Sequence, residues 1–417
     1  MGLLEKLGDR ETWERFYEYK NALACPKEFT AELREFIDRE AYLPVLESIR
    51  RAEPFPLPRK AVISKMGSRK KRTVYIYPEP ENTVLKLLTY LLLRRYDGLF
   101  SNNLYSFRPG RSAKDAIRRL KRVPGLFDKY AYKVDISNYF NSIDLSLFLP
   151  VLKSAVEDDP ELFAFLSRLL SEPQVRERGR VIAEEKGIMA GTPLASFYAN
   201  LFLKDLDRLF AERGIPYARY SDDIILFGES PETVRQYAAE VREYLASRHL
   251  SVNPDKEEFF TPETGFSFLG FYCRKHSVDI APATVRKLKA KMRRKTRALM
   301  RWKTRNALSG EKAAKAFIRI FNRKLFETSE DNELTWSFWF FSVITETTSL
   351  SVIDRYTQDC VRFLLTGKHT KARYNARYED LKALGYRSLV HAYYEFGEKR
   401  NSVTDLTNAV EASSEIL

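Results

Sequence analysis

Two adjacent carboxylates, Asp222 and Asp223, stand inside the stretch "RYSDDIILF" (219–227). A strand rich in Ile and Phe gains stability by burying apolar faces, and charges in its middle are costly to desolvate. One reading is a surface hairpin whose turn happens to be Ser-Asp-Asp. The other is a metal site, which needs further oxygen donors. Asp135 in "KVDIS" is a candidate, although alone it also fits a structural residue at a strand end. If the two strands are neighbours in one sheet, three carboxylates converge at one of its ends. Hard divalent cations such as Mg²⁺ take oxygen ligands and leave positions for water and phosphate. Two such ions roughly 3.5–4 Å apart can activate an attacking hydroxyl and stabilise a leaving phosphate group.

The elements that must position these groups are legible in outline. Residues 1–50 read as helices broken near Pro26, and the Pro-punctuated "EPFPLPRK" leads into "AVISKMGSRKKRTVYIYP". That segment reads as a hairpin with a cation-loaded Gly-Ser turn. Helical spacing covers 82–97, 112–122, 145–172 and 194–212. "YAYKVDISNYF", "ARYSDDIILFG" and "GFSFLGFYC" read as strands. From about residue 284 the chain turns into basic helix, with Val285, Leu288, Met292 and Leu299 on one apolar stripe. Strands interleaved with helices, then a helical tail, imply an α+β core with an α-helical appendage.

Composition narrows the partners. The 417 residues are 44% hydrophobic and carry a net charge of +14, from 70 Lys and Arg against 56 Asp and Glu. An excess of that sign favours a polyanion such as nucleic acid. Cys25, Cys273 and Cys360 show no paired-thiol spacing, and four scattered histidines give no histidine-based metal site. The charged N-terminus argues against a secretory signal, and the most apolar run, "LTWSFWFFSVI", is too short to span a membrane. The expectation is a cytoplasmic protein with no membrane partner.

The order of motifs says more than any one of them. "LYSFRPGRSAKDAI", "YKVDISNYFNSID", "GIMAGTPLASFYANLFLKDLD", "YSDD", "LSVNPDK" and "FSFLGF" follow one another at polymerase-like spacings. Together, over roughly residues 55–275, they resemble the bacterial reverse transcriptases related to group II intron enzymes. The resemblance implies a right-hand α+β polymerase with fingers, a palm built on a ferredoxin-like antiparallel sheet, a helical thumb and an α-helical C-terminal region. The implied boundaries are an N-terminal helical extension over 1–54, fingers over 55–130 and 145–187, palm over 131–144 and 188–275, thumb over 276–345, and the C-terminal region over 346–417.

By the same resemblance, Asp135, Asp222 and Asp223 hold two Mg²⁺ ions, with Mn²⁺ as the alternative, assisted by the Ile136 carbonyl. Phe140 lies under the sugar of an incoming deoxynucleoside triphosphate, with Tyr139 as the alternative register. Lys65 and Arg72 on the fingers hairpin and Lys256 of "LSVNPDK" meet the triphosphate, Lys256 also as a proton donor. Gly191 and Pro193 form the turn against nucleotide and template. Ala190 stands where the family commonly has Gln, which puts ordinary nucleotide selection in doubt. Arg108 and Arg111 lie near the template, and Phe268, Leu269 and Gly270 match the primer grip. Arg293 and Arg294, on the basic helix, face the backbone of an RNA/DNA hybrid.

The tail from "VIDRYTQDC" to "HAYYEF" resembles the C-terminal helices of defence-associated reverse transcriptases, the "unknown group" or abortive-infection set, with class 2 as the assignment. That implies copying of a structured noncoding RNA partner in antiphage defence. No nuclease or zinc-finger motif is visible. The alternatives are a group II intron-type reverse transcriptase and maturase, or a catalytically silent RNA-binding protein on the same fold. The sequence leaves the oligomeric state open.

Overall fold

In the computed structural model, residues 2–23, 25, 27–64, 71–275, 277–327, 336–369 and 372–398 are described. The chain divides into two units, Met1–Leu269 and Gly270–Leu417.

The first unit opens with four helices, α1 (Leu3–Lys6), α2 (Arg10–Ala22), α3 (Lys27–Asp38) and α4 (Leu43–Arg50). The Asp9 carboxylate caps α2 by accepting from the Glu11 and Thr12 N–H groups, which have no partner inside the helix. Next come the antiparallel strands β1 (Arg59–Ser64) and β2 (Lys71–Ile76), then α5 (Glu81–Arg95) and α6 (Ala113–Lys121). Strand β3 (Tyr130–Asp135) leads into the single-turn α7 (Tyr139–Ser142), then α8 (Leu145–Ala155) and α9 (Pro160–Ser171). The hairpin β4 (Gln174–Glu177) and β5 (Arg180–Ala183) joins β1 and β2 in one sheet, ordered β2-β1-β4-β5. The sequence reading missed this hairpin because most of its side chains are solvent-exposed and give no apolar alternation.

The remainder of this unit completes a second sheet. Helices α10 (Ala195–Phe202) and α11 (Lys204–Glu212) precede β6 (Tyr217–Tyr220) and β7 (Asp223–Gly228). Helix α12 (Pro231–Ser247), β8 (Glu258–Phe260) and β9 (Phe266–Phe268) follow. The sheet order β6-β7-β3-β8 is antiparallel throughout, so the two Asp-bearing strands, β3 and β7, are central neighbours. Ile224, Ile225, Leu226 and Phe227 are at most 1% exposed, so β7 is covered on both faces. Helix α12 packs against β3 and β7. The unit's core continues through Tyr132, Val134, Phe148, Phe197 and Phe202.

The second unit holds the hairpin β10 (Phe271–Arg274) and β11 (Ser277–Ile280), followed by helices. These are α13 (Pro282–Arg305), α14 (Gly310–Phe326), α15 (Trp336–Phe341), α16 (Thr348–Thr366), α17 (Ala372–Asn375) and α18 (Tyr378–Ala383). Helices α13, α14 and α16 pack on one another. The expected stripe of Val285, Leu288, Met292 and Leu299 is buried, and Arg293 and Arg294 are exposed. "GFSFLGFYC" is not one strand: Leu269 (φ 51°) and Gly270 (φ 89°) turn left-handed and separate β9 from β10. Among the described residues no helix is long and apolar enough to cross a membrane.

Candidate active site

Antiparallel pairing sets the geometry of the carboxylates. β3 and β7 align so that Asp135 lies directly opposite Asp223. The β6–β7 hairpin closes through Ser221 and Asp222, with Tyr220 opposite Asp223, and the Ile136 N–H donates to the Asp222 carbonyl (3.1 Å). All three aspartates therefore sit at one end of two adjacent strands. Burial pushes the Asp223 carboxyl up to about 6, helped by the charges of Asp222 and Asp135. Asp222 is also raised, first by burial and then by Asp135. Burial and like charge both disfavour ionisation, so this strand end calls for positive charge.

Two kinds of cation are already near. The Lys256 ammonium, on the turn after "LSVN", bonds Asp135, and the Asn253 amide lies 3.4 Å from the same carboxylate. Lys256 and Arg72 also draw the Asp222 pKa downward, which places Arg72 within electrostatic reach of the turn. Lys65 lies outside the described residues.

A buried polar network braces the turn from below. Ser221 has φ 61°, a left-handed conformation unusual for a residue with a Cβ. Its N–H donates to Ser106 Oγ (2.9 Å), which donates to Asn200 Oδ1 (3.0 Å). Its carbonyl accepts from Arg219 Nη1 (3.2 Å). Arg219 is fully buried and forms a bidentate pair with Asp207 through Nε (2.7 Å) and Nη2 (2.6 Å), while Tyr217 Oη also donates to Asp207. Burial opposes the charge on Arg219, and Asp207 more than offsets it. The Ser221 hydroxyl is buried without a hydrogen-bond partner among the described residues.

Helix α7 separates the environments of the two candidate aromatics. Tyr139 is buried and donates to the Ala199 carbonyl (2.6 Å), whereas Phe140 is half-buried with the Arg72 guanidinium 5.6 Å from its ring centre. Phe140, not Tyr139, is thus the ring grouped with Arg72. The 190–193 turn lies against β2. A Cβ on Gly191 (φ 100°) would stand 2.9 Å from Val74 Cβ and 3.1 Å from the Tyr75 carbonyl, so only glycine fits. Both backbone groups of Ala190 are used inside the protein: its carbonyl accepts from the Tyr75 N–H (2.8 Å) and its N–H donates to Asn141 Oδ1 (3.0 Å). Gly191 is exposed and Pro193 half-buried.

The description "Reverse transcriptase (RNA-dependent DNA polymerase)" matches residues 63–273, just over half of the chain and all of this constellation. The chain belongs to the reverse transcriptase family. It is similar to the group II intron-encoded protein LtrA of Lactococcus lactis subsp. cremoris and to that of its strain MG1363, at 22% identity over 208 residues. These matches cover 50% of this chain and 34% of each relative, so the chain matches about a third of their length. Among solved structures, apo telomerase from Candida tropicalis is similar with a TM-score of 0.45 and 11% identity, covering 77% of this chain and 65% of that one. Telomerase from Candida albicans in complex with a TWJ fragment of telomeric RNA gives 0.43 and 12%, covering 86% and 70%.

The donor set is of the type that fits the divalent cations reverse transcriptases generally use: carboxylate oxygens at one strand end, with Asp222 and Asp223 raised in pKa by burial first and then by neighbouring carboxylate charge. Among the described residues, no three His, Cys, Asp or Glu side chains are gathered closely enough to hold an ion as they stand. Asp135 is engaged by Lys256 instead.

Other expected contact residues are engaged within the protein. Arg108 is 6% exposed, and its guanidinium is used on both Asp97 oxygens (2.7 and 2.9 Å) and the Ser101 carbonyl. It braces the 97–108 loop and is not a free cation for a template. Arg111 is half-buried and donates to the Asn102 carbonyl and side chain. Phe268 is 1% exposed, so its ring is interior packing. Sequence reasoning missed Asn141, Ser106, Asn200, Asp207 and Arg219. The available signal was polarity at core positions: Asn200 interrupts the buried run of α10, and Arg219 sits in a buried strand.

Proposed function

We propose that the chain is an RNA-directed DNA polymerase whose metal centre is Asp135, Asp222 and Asp223. The observation that carries this reading is the register of β3 and β7, which sets Asp135 opposite Asp223 beside a turn holding Asp222. Mg²⁺ is the expected ion, assisted by the Ile136 carbonyl, and when bound it would neutralise the carboxylates and lower the barrier to attack by a primer 3′-hydroxyl. The protein's own groups then bind and orient. Arg72, exposed and close to the turn, offers a charge-assisted hydrogen bond to a triphosphate. The Phe140 ring, half-buried beside Arg72, would meet the sugar edge, where a 2′-hydroxyl would crowd it. Lys256, once released from Asp135, would give a proton to the leaving pyrophosphate. Residues 55–130 and 145–187 would act as fingers, the β6-β7-β3-β8 sheet as palm, and α13 with Arg293 and Arg294 as the thumb's cationic surface.

The finer reading, synthesis on a structured noncoding RNA in cytoplasmic antiphage defence, rests on the resemblance of the C-terminal helices to defence-associated enzymes. The likeness to group II intron-encoded proteins supports a second reading, an intron RNA as template. Sequencing RNA copurified with the protein separates them: a short structured RNA supports the first, intron RNA the second. For the activity itself, protein given Mg²⁺, labelled deoxynucleotides and a primed RNA should make DNA. The Asp222→Ala/Asp223→Ala double variant should make none while still binding RNA. Equal synthesis by both would remove the assignment.

A further inference from the structure

We propose that Asn141 is a positioning residue for the incoming nucleotide, because its one amide ties together three elements that would form the nucleotide pocket. The inference rests on the polymerase reading and adds a residue to it. Asn141 Nδ2 donates to the Thr73 carbonyl on β2 (3.3 Å), one residue from Arg72. Its Oδ1 accepts from the Ala190 N–H (3.0 Å), one residue from Gly191. Its own backbone is in α7, one residue from Phe140. The amide orientation follows from the partners, since only oxygen can accept and only nitrogen can donate.

Helix α7 needs such a tie. It is one turn of four residues, entered through Asn138 at φ 44°, with Asn138's carbonyl accepting from the Asn141 and Ser142 N–H groups. A turn that short is unstable on its own. Tyr139 anchors it on one side through the Ala199 carbonyl. On the other, the Phe140 carbonyl accepts from the Ile188 N–H (2.9 Å), and Gly187 packs so closely that a Cβ would lie 2.5 Å from that oxygen. Phe140 is therefore a half-buried ring flanked by two anchored neighbours. The anchor at Asn141 also reaches the strand of Arg72 and the turn of Gly191. Replacing Asn141 frees a carbonyl on one element and an N–H on another, and leaves the three joined only by the Tyr75–Ala190 and Phe140–Ile188 backbone bonds, so their relative positions loosen.

The test measures equilibrium binding of dTTP and of UTP, with Mg²⁺ present, to the full chain on an RNA template with a dideoxy-terminated primer, where no bond can form. Asn141→Ala should weaken dTTP binding about tenfold, or roughly 1.4 kcal/mol, and cut the preference for dTTP over UTP by a similar factor. Primer–template affinity should stay within about twofold, the scale of an unaffected contact. Asn141→Asp keeps the acceptor for Ala190 and loses the donor to Thr73, so it should fall between. Unchanged dTTP affinity and preference in both variants would overturn the role, as would an equal loss of primer–template affinity. Wild-type protein that binds dTTP selectively yet never extends a normal primer would refute the polymerase reading and leave this inference standing. Wild-type protein that extends primers while Asn141→Ala matches it throughout would do the reverse. Failure of the wild type to bind dTTP would overturn both.

Discussion

The hairpins β6–β7 and β1–β2 look alike in sequence, each with apolar strands meeting at a polar or charged tip, yet the fold treats them oppositely. In β7, Ile224 and Ile225 are fully buried, and the tip is held by Ser106, Arg219 and the backbone of Ile136. In β1, Val62 and Ile63 are 53% and 48% exposed, and Lys71 and Arg72 begin the return strand in solvent. Charge at the buried tip is costly and is kept in place by a dedicated network. Charge on the exposed hairpin is solvated, costs little, and is free to meet a ligand. One hairpin is built as a rigid base for carboxylates and the other as a cationic arm.

The sharpest way to break this contrast is to remove the brace. Arg219→Met would leave Asp207 buried and uncompensated, a loss on the order of 3–5 kcal/mol, with synthesis abolished. Urea unfolding checks it, and a variant as stable as wild type would show that the network is dispensable. The exposed arm should behave in the opposite way. Arg72→Ala should raise the KM for deoxynucleotides by about tenfold while unfolding stays within roughly 0.5 kcal/mol of wild type.

The third test concerns the cost of charge at the tip. Asp223 titrates in the folded chain near 6, above the ordinary 3.8, so its charged form opposes folding. In metal-free protein that penalty is complete above pH 6, shrinks as pH falls through 6, and is gone below about 4. Asp223→Asn should therefore raise the melting temperature by roughly 2 °C at pH 8 and by nothing near pH 4, read by thermal scans in chelator. A stabilisation that does not fade with acid would contradict the cause given. The smallest effect is expected at Ser221, whose buried hydroxyl lacks a partner. Ser221→Ala should gain roughly 0.5–1 kcal/mol in urea unfolding and keep DNA synthesis.

Much of this layout was legible from residues alone. The resemblance carried by the ordered motifs points to the aspartates, Phe140 and the Gly191 turn, while the stripe on α13 follows from helical periodicity, a local property, and is buried. The inward turn of the Arg108 guanidinium is not legible in sequence, since its partner Asp97 lies eleven residues earlier. The β4–β5 hairpin and the three-residue β8 were invisible for want of apolar alternation. Asn141 gives no local signal: its partners Thr73 and Ala190 lie 68 and 49 residues away. Pairwise contacts of that range are a property of the fold and not of any window of sequence.

The central claim is that carboxylates from two neighbouring strands act as one polymerase centre. It is tested most directly by incorporation of labelled dTTP on a poly(rA) template with an oligo(dT) primer, comparing wild type with Asp135→Asn, Asp222→Asn and Asp223→Asn. Wild-type protein should incorporate dTTP in a divalent-dependent manner. Each variant should lose on the order of 10³-fold or more in rate while binding primer–template normally, about 4 kcal/mol of barrier. Incorporation near the wild-type rate by any one of the three would show that this aspartate is not part of the centre.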